Sequence, residues 1–477
     1  MGFRSMDVTR PGMIGIGLRI SLFLTGLFLI DAAHALPSFA RQTGAACEQC
    51  HTMAYGPALT PFGRQFKLNG YTWGKSEAAM PLALMVQGGF TQTQKAQPEP
   101  PAEHYRDNDN ISVDQVSLFY GGRISDHVGL FSQLTYSGPD QTLSWDNIDL
   151  RYARNIALGS HYAVLGLSVN NNPTDQDLWN TTAAWTFPYI SSALAPAPAA
   201  APFIAGMGGA SLGASGYLMI DGALYLEAGG YHGLSDRWLT NLGTGADANL
   251  HLRGVAPYLR VGLDKEMGAN HLHVGALWLD AKVLPDPMQA KADRYKDVGL
   301  DGMYQYFNGG SQSLTVNAMV VHETRSLEAT YADGGADSPK GHLTTTSVDA
   351  TYAYNSTYSA SVGLFAIGGN ADSTYYPADP FSGSANGRPD SRGFTLQAAY
   401  IPFGKSASIG RNWLNLQVGV QYTAYSKFNG GSDTMVMVAT RPITTPCFCL
   451  HGLFCDALPD RLRISLPRLL GRACDSV

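Results

Sequence analysis

The fold is decided by the stretch Gly254-Val255-Ala256-Pro257-Tyr258-Leu259-Arg260-Val261-Gly262-Leu263. Within it, Leu259, Val261 and Leu263 alternate with Tyr258, Arg260 and Gly262, which is the period-two pattern of a β-strand with two unlike faces. A soluble sheet can bury one face in the same way. The arginine on the other face instead favours a strand whose apolar side meets lipid and whose polar side lines a lumen.

Similar alternating runs fill the chain from about residue 80 to residue 425, and turn residues such as Asp221-Gly222 and Asn355-Ser356 separate them. Fifteen runs begin near residues 80, 111, 128, 145, 161, 212, 223, 254, 271, 297, 311, 343, 357, 392 and 412. Bacterial outer-membrane barrels have an even number of strands, so sixteen is the natural total, with the last strand missing or unrecognised. We therefore predict an all-β fold, an antiparallel transmembrane β-barrel over residues 80–440.

Tight periplasmic turns and longer outer loops should alternate along such a barrel. The longest connection runs from Asn170 to Ser211 and contains the Pro/Ala-rich run Ala193–Pro202. Two interpretations stay open for it. It is either a stiff, irregular connector or a loop that folds inward and narrows the pore.

The first 35 residues have the pattern of a cleaved secretory signal peptide. Arg4, Arg10 and Arg19 precede an apolar run over Ile20–Ile30, and a small-x-small cleavage site ends at Ala35. Eleven apolar residues are too few to cross a bilayer core. The net charge is only −6 and no basic cluster is present, which speaks against a nucleic-acid partner. We expect an exported protein of the bacterial outer membrane, with membrane lipid as its surroundings.

The motif Cys47-Glu48-Gln49-Cys50-His51 is the C-x-x-C-H signature of covalent haem attachment. Two thiols about one helical turn apart can reach both vinyl groups of one porphyrin, and the following histidine supplies the proximal iron ligand. A thioredoxin-like redox pair would need a βαβ context, and a zinc site would need further ligands nearby. Because the export signal favours haem, we predict one covalent haem c on Cys47 and Cys50, with His51 as the proximal iron ligand.

Residues 36–79 should form a small helical haem-binding segment, which is too short to bury a core of its own. Apolar walls for the haem must come from elsewhere, and the barrel lumen is the obvious place, so we expect this segment to plug the barrel. The distal iron ligand is left open between Met80, Met85, His104 and water, while Met53 lies too close in sequence to swing across the ring.

The C-terminal residues 441–477 break the pattern. Alternation stops after Thr440, four of the six cysteines (Cys447, Cys449, Cys455 and Cys474) lie there at odd spacings, and prolines are frequent. We interpret this tail as anomalous and non-native, and expect it to be irregular or loosely helical outside the barrel. The barrel should then close with a short strand from about Asp433 to Thr440, or stay open at that seam.

Three segments resemble the fused monohaem cytochrome c–porin family, whose best-known members are the outer-membrane iron-oxidising cytochromes called Cyc-two. They are Phe39-Ala40-Arg41-Gln42-Thr43-Gly44, the motif at residues 47–51, and Leu59-Thr60-Pro61-Phe62-Gly63-Arg64-Gln65-Phe66-Lys67-Leu68-Asn69-Gly70-Tyr71. The resemblance covers residues 36–75, and over the barrel it is one of architecture only. It implies a monohaem cytochrome that plugs a sixteen-stranded barrel and carries electrons inward from extracellular Fe(II).

Two functions from different classes follow. The first is an electron conduit across the outer membrane, from extracellular Fe(II) as the candidate donor to a periplasmic electron carrier. The second is a passive porin-like channel whose haem is structural or sensory. A plugged lumen favours the first function, and an open pore of several ångström favours the second.

Overall fold

The computed structural model describes residues 37–448 except for 75–80, 190, 287, 289, 379–382, 385, 407–414, 432–436 and 443–444. The predicted signal peptide 1–35, Met80 and the tail beyond residue 448 therefore lie outside the described residues. No helix in the described part of the chain is long and apolar enough to cross a bilayer.

A single antiparallel sheet of 17 strands dominates the described residues. The strands are β1 Leu82–Thr93, β2 Asn110–Arg123, β3 Val128–Ser137, β4 Thr142–Leu158, β5 His161–Asn170, β6 Ser211–Ile220, β7 Leu224–Gly233, β8 Ala256–Met267, β9 Asn270–Val283, β10 Asp293–Asn308, β11 Gln312–Ser326, β12 Lys340–Tyr354, β13 Tyr358–Gly369, β14 Ser391–Tyr400, β15 Asn415–Lys427, β16 Met437–Pro442 and β17 Thr445–Phe448. Each of the first fifteen begins within four residues of its predicted start. The prediction of an all-β antiparallel barrel is confirmed.

The barrel closes at a seam made of two short strands. β16 pairs with the C-terminal half of β1, from Gly89 to Thr93, and β17 pairs with the N-terminal half at Leu84 and Met85. Both short strands also pair with β15, so together they occupy a sixteenth position in the wall. The sequence predicts that strand structure ends at Thr440 and that the following residues lie outside the barrel. The backbone of Thr445–Phe448 instead continues the wall, because β1 and β15 would otherwise present unpaired edges.

The wall has an apolar outside and a polar inside. On β8, Leu259, Val261 and Leu263 are 47%, 48% and 60% exposed, whereas Arg260 is 1% exposed and points into the lumen. Aliphatic residues of other strands are exposed in the same way, among them Leu165, Leu167, Val274, Val298, Leu300, Val362, Leu364, Val418 and Val420. This confirms the predicted direction of the β8 side chains and is the pattern of a transmembrane barrel.

The two ends of the barrel differ in the length of their connections. At one end, tight turns join β2 to β3, β4 to β5, β6 to β7, β8 to β9, β10 to β11 and β12 to β13. The turn at Asp221-Gly222 has φ of 50° and 66° at its two residues, as a two-residue hairpin of this type requires. We call this end the short-turn mouth, and the opposite end, with its longer loops, the long-loop mouth.

The N-terminal segment lies inside the lumen. It contains α1 Pro37–Thr43, α2 Cys47–Cys50 and α3 Pro61–Leu68. Its hydrogen bonds reach strands on different sides of the wall: Tyr71 Oη donates to Asp149 of β4 (2.6 Å), Arg64 Nη1 to Gln305 of β10 (2.6 Å), and Asn415 Nδ2 of β15 to the Ala54 carbonyl (2.6 Å). Contacts on several sides can be made only from within, so the segment from Pro37 to Trp73 is a plug.

The long connection between β5 and β6 also folds inward. Residues 174–182 are almost wholly buried, and Asp177 accepts a hydrogen bond from Arg260 of the wall (2.9 Å). Further along, the backbone N–H of Ile204 donates to Asp297 of β10 (2.8 Å). Of the two interpretations, a loop that folds into the pore is therefore correct, and we call residues 171–210 the lumen loop.

Candidate haem site

The short helix α2 is held by hydrogen bonds at both of its ends. The Ala46 N–H donates to the side-chain oxygen of Gln49 (2.9 Å), and the His51 N–H donates to the Cys47 carbonyl (2.8 Å). The connection between β14 and β15 fixes its outer side, where the Glu48 N–H donates to the Gly404 carbonyl (3.1 Å). The single helical turn that brings the two cysteines to one side is thus held by its own hydrogen bonds and by one from the β14–β15 connection.

Helix α3 packs directly against the attachment motif. Thr60 begins α3 as its N-cap, accepting from the Gly63 N–H (3.2 Å), while its own N–H donates to the Cys50 carbonyl (2.9 Å). A Cβ on Gly63 would lie 2.3 Å from the Cys50 carbonyl oxygen, so only glycine permits this approach. The sequence Thr60-Pro61-Phe62-Gly63 therefore serves to position Cys50 and His51.

A cavity of about 300 Å³ opens beside α2. This is at the lower end of the ~300–1,000 Å³ typical of cofactor and small-molecule sites. Cys47, Cys50 and His51 all line it, so the structure brings the three predicted site residues together around one space. Its apolar lining comes from the plug, the wall and the lumen loop, and includes Phe39, Met53, Tyr55, Phe66, Met85, Phe119, Phe131, Trp185 and Tyr189.

The ionisation of the motif suits ligation better than thiol redox chemistry. Burial lowers the pKa of His51 to about 4, which leaves the imidazole neutral at pH 7, as a metal ligand must be. Burial, with the neighbouring Cys47 second, raises the pKa of Cys50 to about 12. A reactive redox cysteine has a lowered pKa, so the thioredoxin-like alternative finds no support in this environment.

An observation within the cavity fits a porphyrin. His51 lines the cavity beside the two cysteines, and the Gly56 backbone is a hydrogen-bond partner of its ring. Two cysteines that form no disulfide within the described chain lie beside it, with aromatic and thioether side chains on facing walls. No group of three or more His, Cys, Asp or Glu side chains in the described residues could hold a metal ion. Cys47, Cys50 and His51 could therefore hold haem c.

The candidates for a distal ligand separate clearly. Met85 lies on β1 and lines the cavity, where its sulfur accepts from Tyr55 Oη (3.3 Å) and Gln87 Nε2 (3.4 Å). His104 has a 71% exposed side chain on the connection between β1 and β2 and does not line the cavity. Met53 also lines the cavity, but it packs in the same apolar cluster as Cys47, on the side of the attachment motif. Met85 packs in a different cluster, with Phe119 of the wall. Met80 lies outside the described residues.

Polar residues that sequence reasoning missed complete the lining. Lys67 of α3 reaches the cavity from the plug, and Asn180 from the lumen loop. Five glutamines reach it from the wall, namely Gln87, Gln115, Gln133, Gln397 and Gln417. The glutamines of β1, β2 and β3 lie at lumen-facing positions, so strand alternation could have marked them as inward; their convergence depends on the closed barrel.

The lumen loop covers the cavity on the side of the long-loop mouth. Asn180 Nδ2 donates to the Pro57 carbonyl of the plug (2.6 Å), and the Trp185 and Tyr189 rings line the space. Deeper in the lumen, Trp179 stacks on His273 of β9 with ring centroids 3.6 Å apart. The cavity is thus lined by the plug, by the wall and by this loop.

Comparison with known proteins gives fold-level similarities. The chain matches no protein-family model and no curated protein sequence. Solved structures similar to it include OmpF of Salmonella typhi in complex with daunomycin, at 12% identity over 76% of this chain and 96% of that one with a TM-score of 0.44. Others are the outer membrane channel DcaP of Acinetobacter baumannii (12%, 77% and 96%, 0.41) and a porin refined at 1.8 Å (9%, 76% and 99%, 0.39).

Proposed function

We propose that this chain is an outer-membrane cytochrome–porin fusion that carries electrons across the membrane through one covalently attached haem c. The observation that carries the proposal is that Cys47, Cys50 and His51 all line one largely apolar cavity inside a closed barrel. When bound there, haem supplies reversible one-electron exchange. Extracellular Fe(II) is the candidate donor, making the chain a candidate Fe(II) oxidase, and a periplasmic electron carrier is the acceptor.

The apolar outside of the barrel supports a place in the bacterial outer membrane. Exposed aliphatic residues recur at every second position of several strands, and a soluble protein rarely leaves so large an apolar surface in water. A closed barrel is also the one all-β form whose backbone groups are all paired within lipid. The export signal predicted over residues 1–35 fits the same location.

The filled lumen favours a conduit over an open channel. The plug fastens to the wall through Tyr71 and Arg64, and the lumen loop through Asp177. A passive porin needs a continuous aqueous path, which these two segments obstruct. A fixed redox group inside an obstructed barrel would let electrons pass while the donor itself stays outside.

The residues around the cavity have separable tasks in this proposal. Cys47 and Cys50 would fix the porphyrin by two thioether bonds, and His51 would hold the iron. Met85 is the best placed of the candidate distal ligands, because the Tyr55 hydroxyl orients its sulfur at the cavity wall. The lumen loop would keep water from the site on the side of the long-loop mouth.

A reduced-minus-oxidised absorption spectrum of outer-membrane fractions tests the proposal. Cells expressing the chain should yield a c-type haem spectrum in that fraction, and adding Fe(II) to the oxidised sample should generate the reduced form. The Cys47→Ala/Cys50→Ala variant provides the matched control. A haem spectrum that Fe(II) leaves unchanged would rule out Fe(II) as the donor. If the wild-type fraction shows no haem spectrum, the proposed electron conduit is wrong.

A further inference from the structure

Lys67 brings a positive charge into a cavity that otherwise carries none. It is 5% exposed, and its ammonium donates to Asn180 Oδ1 (2.8 Å) and lies 5.1 Å from the centroid of the Trp185 ring. Among the described residues that line the cavity there is no aspartate, glutamate or arginine. Burial lowers the pKa of Lys67 to about 8, so the side chain is still mostly protonated at pH 7.

The charged groups that face Lys67 from neighbouring elements are engaged elsewhere. Asp149 of β4 is paired with Arg151 (2.8 Å), and Asp177 of the lumen loop is paired with Arg260 (2.9 Å). Burial raises the pKa of Asp175 well above its ordinary value, which favours its neutral form. In the described part of the chain Lys67 therefore forms no ion pair with a carboxylate.

The hydrogen-bond acceptor of this buried ammonium is a neutral amide oxygen and not a carboxylate. Such burial costs folding free energy, because the loss of hydration of a charge is offset only by an opposite charge and further hydrogen bonds. The rest of the lining is suited to the same kind of ligand. The five wall glutamines offer amide N–H groups to a ligand that accepts hydrogen bonds.

We propose that Lys67 Nζ, together with the wall glutamines, is an anion site of the cavity that binds a propionate carboxylate of the attached haem. This inference rests on the haem attachment proposed above. Haem brings two carboxylates into the space that it occupies, and Lys67 is the one lysine or arginine among the described lining residues. Lys67 would then set the electrostatic potential at the cofactor as well as its seating.

The test compares purified full-length variants by haem staining, reduction potential and the propionate-bending bands of the resonance Raman spectrum. Lys67→Met should retain covalent haem, shift the propionate bands and lower the reduction potential, because a lost positive charge disfavours the added electron. Lys67→Arg should restore most of the potential. Lys265→Met, at an exposed position of β8, makes the same change in net charge and should leave both readouts unchanged.

The outcomes separate the two proposals. Haem-stained protein in which Lys67→Met and Lys265→Met show the same potential and the same propionate bands would overturn the anion site alone. Unstained wild-type protein would overturn haem attachment and the anion site with it. If Lys67→Met fails to accumulate, Lys67→Arg still decides the matter, because a guanidinium in place of the ammonium must shift the propionate bands, and unshifted bands would overturn the assignment.

Discussion

Replacing Arg260 by methionine should release the lumen loop. Arg260 is buried and joins three parts of the lumen: its guanidinium donates to both oxygens of Asp301 on β10 and to Asp177 of the loop, each at 2.9 Å. Asp177 in turn accepts from the backbone N–H groups of Thr181 and Thr182 (3.0 and 3.2 Å). The loop's buried turn is therefore organised around one carboxylate that Arg260 neutralises.

The magnitude follows from what the substitution leaves behind. Methionine is shorter than arginine and carries no charge, so Asp177 and Asp301 would remain buried and without their arginine. Breaking a buried ion pair by removing one partner costs about 3–5 kcal/mol. At 1.4 kcal/mol for each factor of ten, the equilibrium between released and packed loop should shift toward release by roughly two to three and a half orders of magnitude.

Two assays report on that shift. Chymotrypsin cleavage after Trp179, which is 2% exposed, should accelerate strongly, because cleavage of a transiently opened segment follows the population of the open form. Planar-bilayer recordings should show a higher conductance as the loop leaves the lumen. Arg154→Met, an exposed arginine on β4, is the matched control and should behave as the wild type.

The reasoning fails if Arg260→Met leaves both the cleavage rate after Trp179 and the conductance at wild-type values. Such a result would mean that Asp177 holds the loop through its backbone partners alone. The double variant Arg260→Met/Asp177→Asn distinguishes the causes further, since removing both charges should recover part of the lost stability.

Further predictions concern the site and the wall. The Cys47→Ala/Cys50→Ala variant should lose haem staining on a denaturing gel, and persistent staining would disprove covalent attachment. Met85→Ala should keep the staining but lower the reduction potential, because methionine ligation raises it; an unchanged potential would exclude Met85 as the distal ligand. Gly63→Ala should reduce the stained fraction, since its Cβ would meet the Cys50 carbonyl at 2.3 Å, and full staining would show that α3 can shift. Val261→Arg should lower the free energy of unfolding, measured with denaturant in lipid vesicles, by about 2–4 kcal/mol. A loss below about 1 kcal/mol would show that Val261 does not lie at the bilayer midplane.

Much of the wall was predictable because its rules are local. Period-two alternation and turn dipeptides located all fifteen long strands, and the arginine at position 260 identified the inner face of β8. The position of the N-terminal segment was predicted from its size, since a segment too short to form its own core must pack against the rest of the chain. The motif at residues 47–51 likewise converges on one cavity, as its spacing predicted.

The remaining features depend on pairs far apart in sequence. Arg260 meets Asp177 across 83 positions, and Lys67 meets Asn180 across 113. No local pattern encodes such contacts, because barrel closure and the path of the lumen loop bring the partners together. The seam was harder to foresee for a different reason: β16 and β17 pair through backbone groups, although the sequence from Arg441 onward lacks the alternation of the other strands.

Electron transfer across a sealed membrane tests the central claim most directly. Purified protein is inserted into lipid vesicles that enclose an oxidised electron acceptor, and Fe(II) is added only outside. The account predicts that vesicles with the wild-type protein reduce the enclosed acceptor, whereas vesicles with the Cys47→Ala/Cys50→Ala variant leave it oxidised. An acceptor that stays oxidised with haem-loaded wild-type protein, or is reduced equally by the double variant, would contradict it.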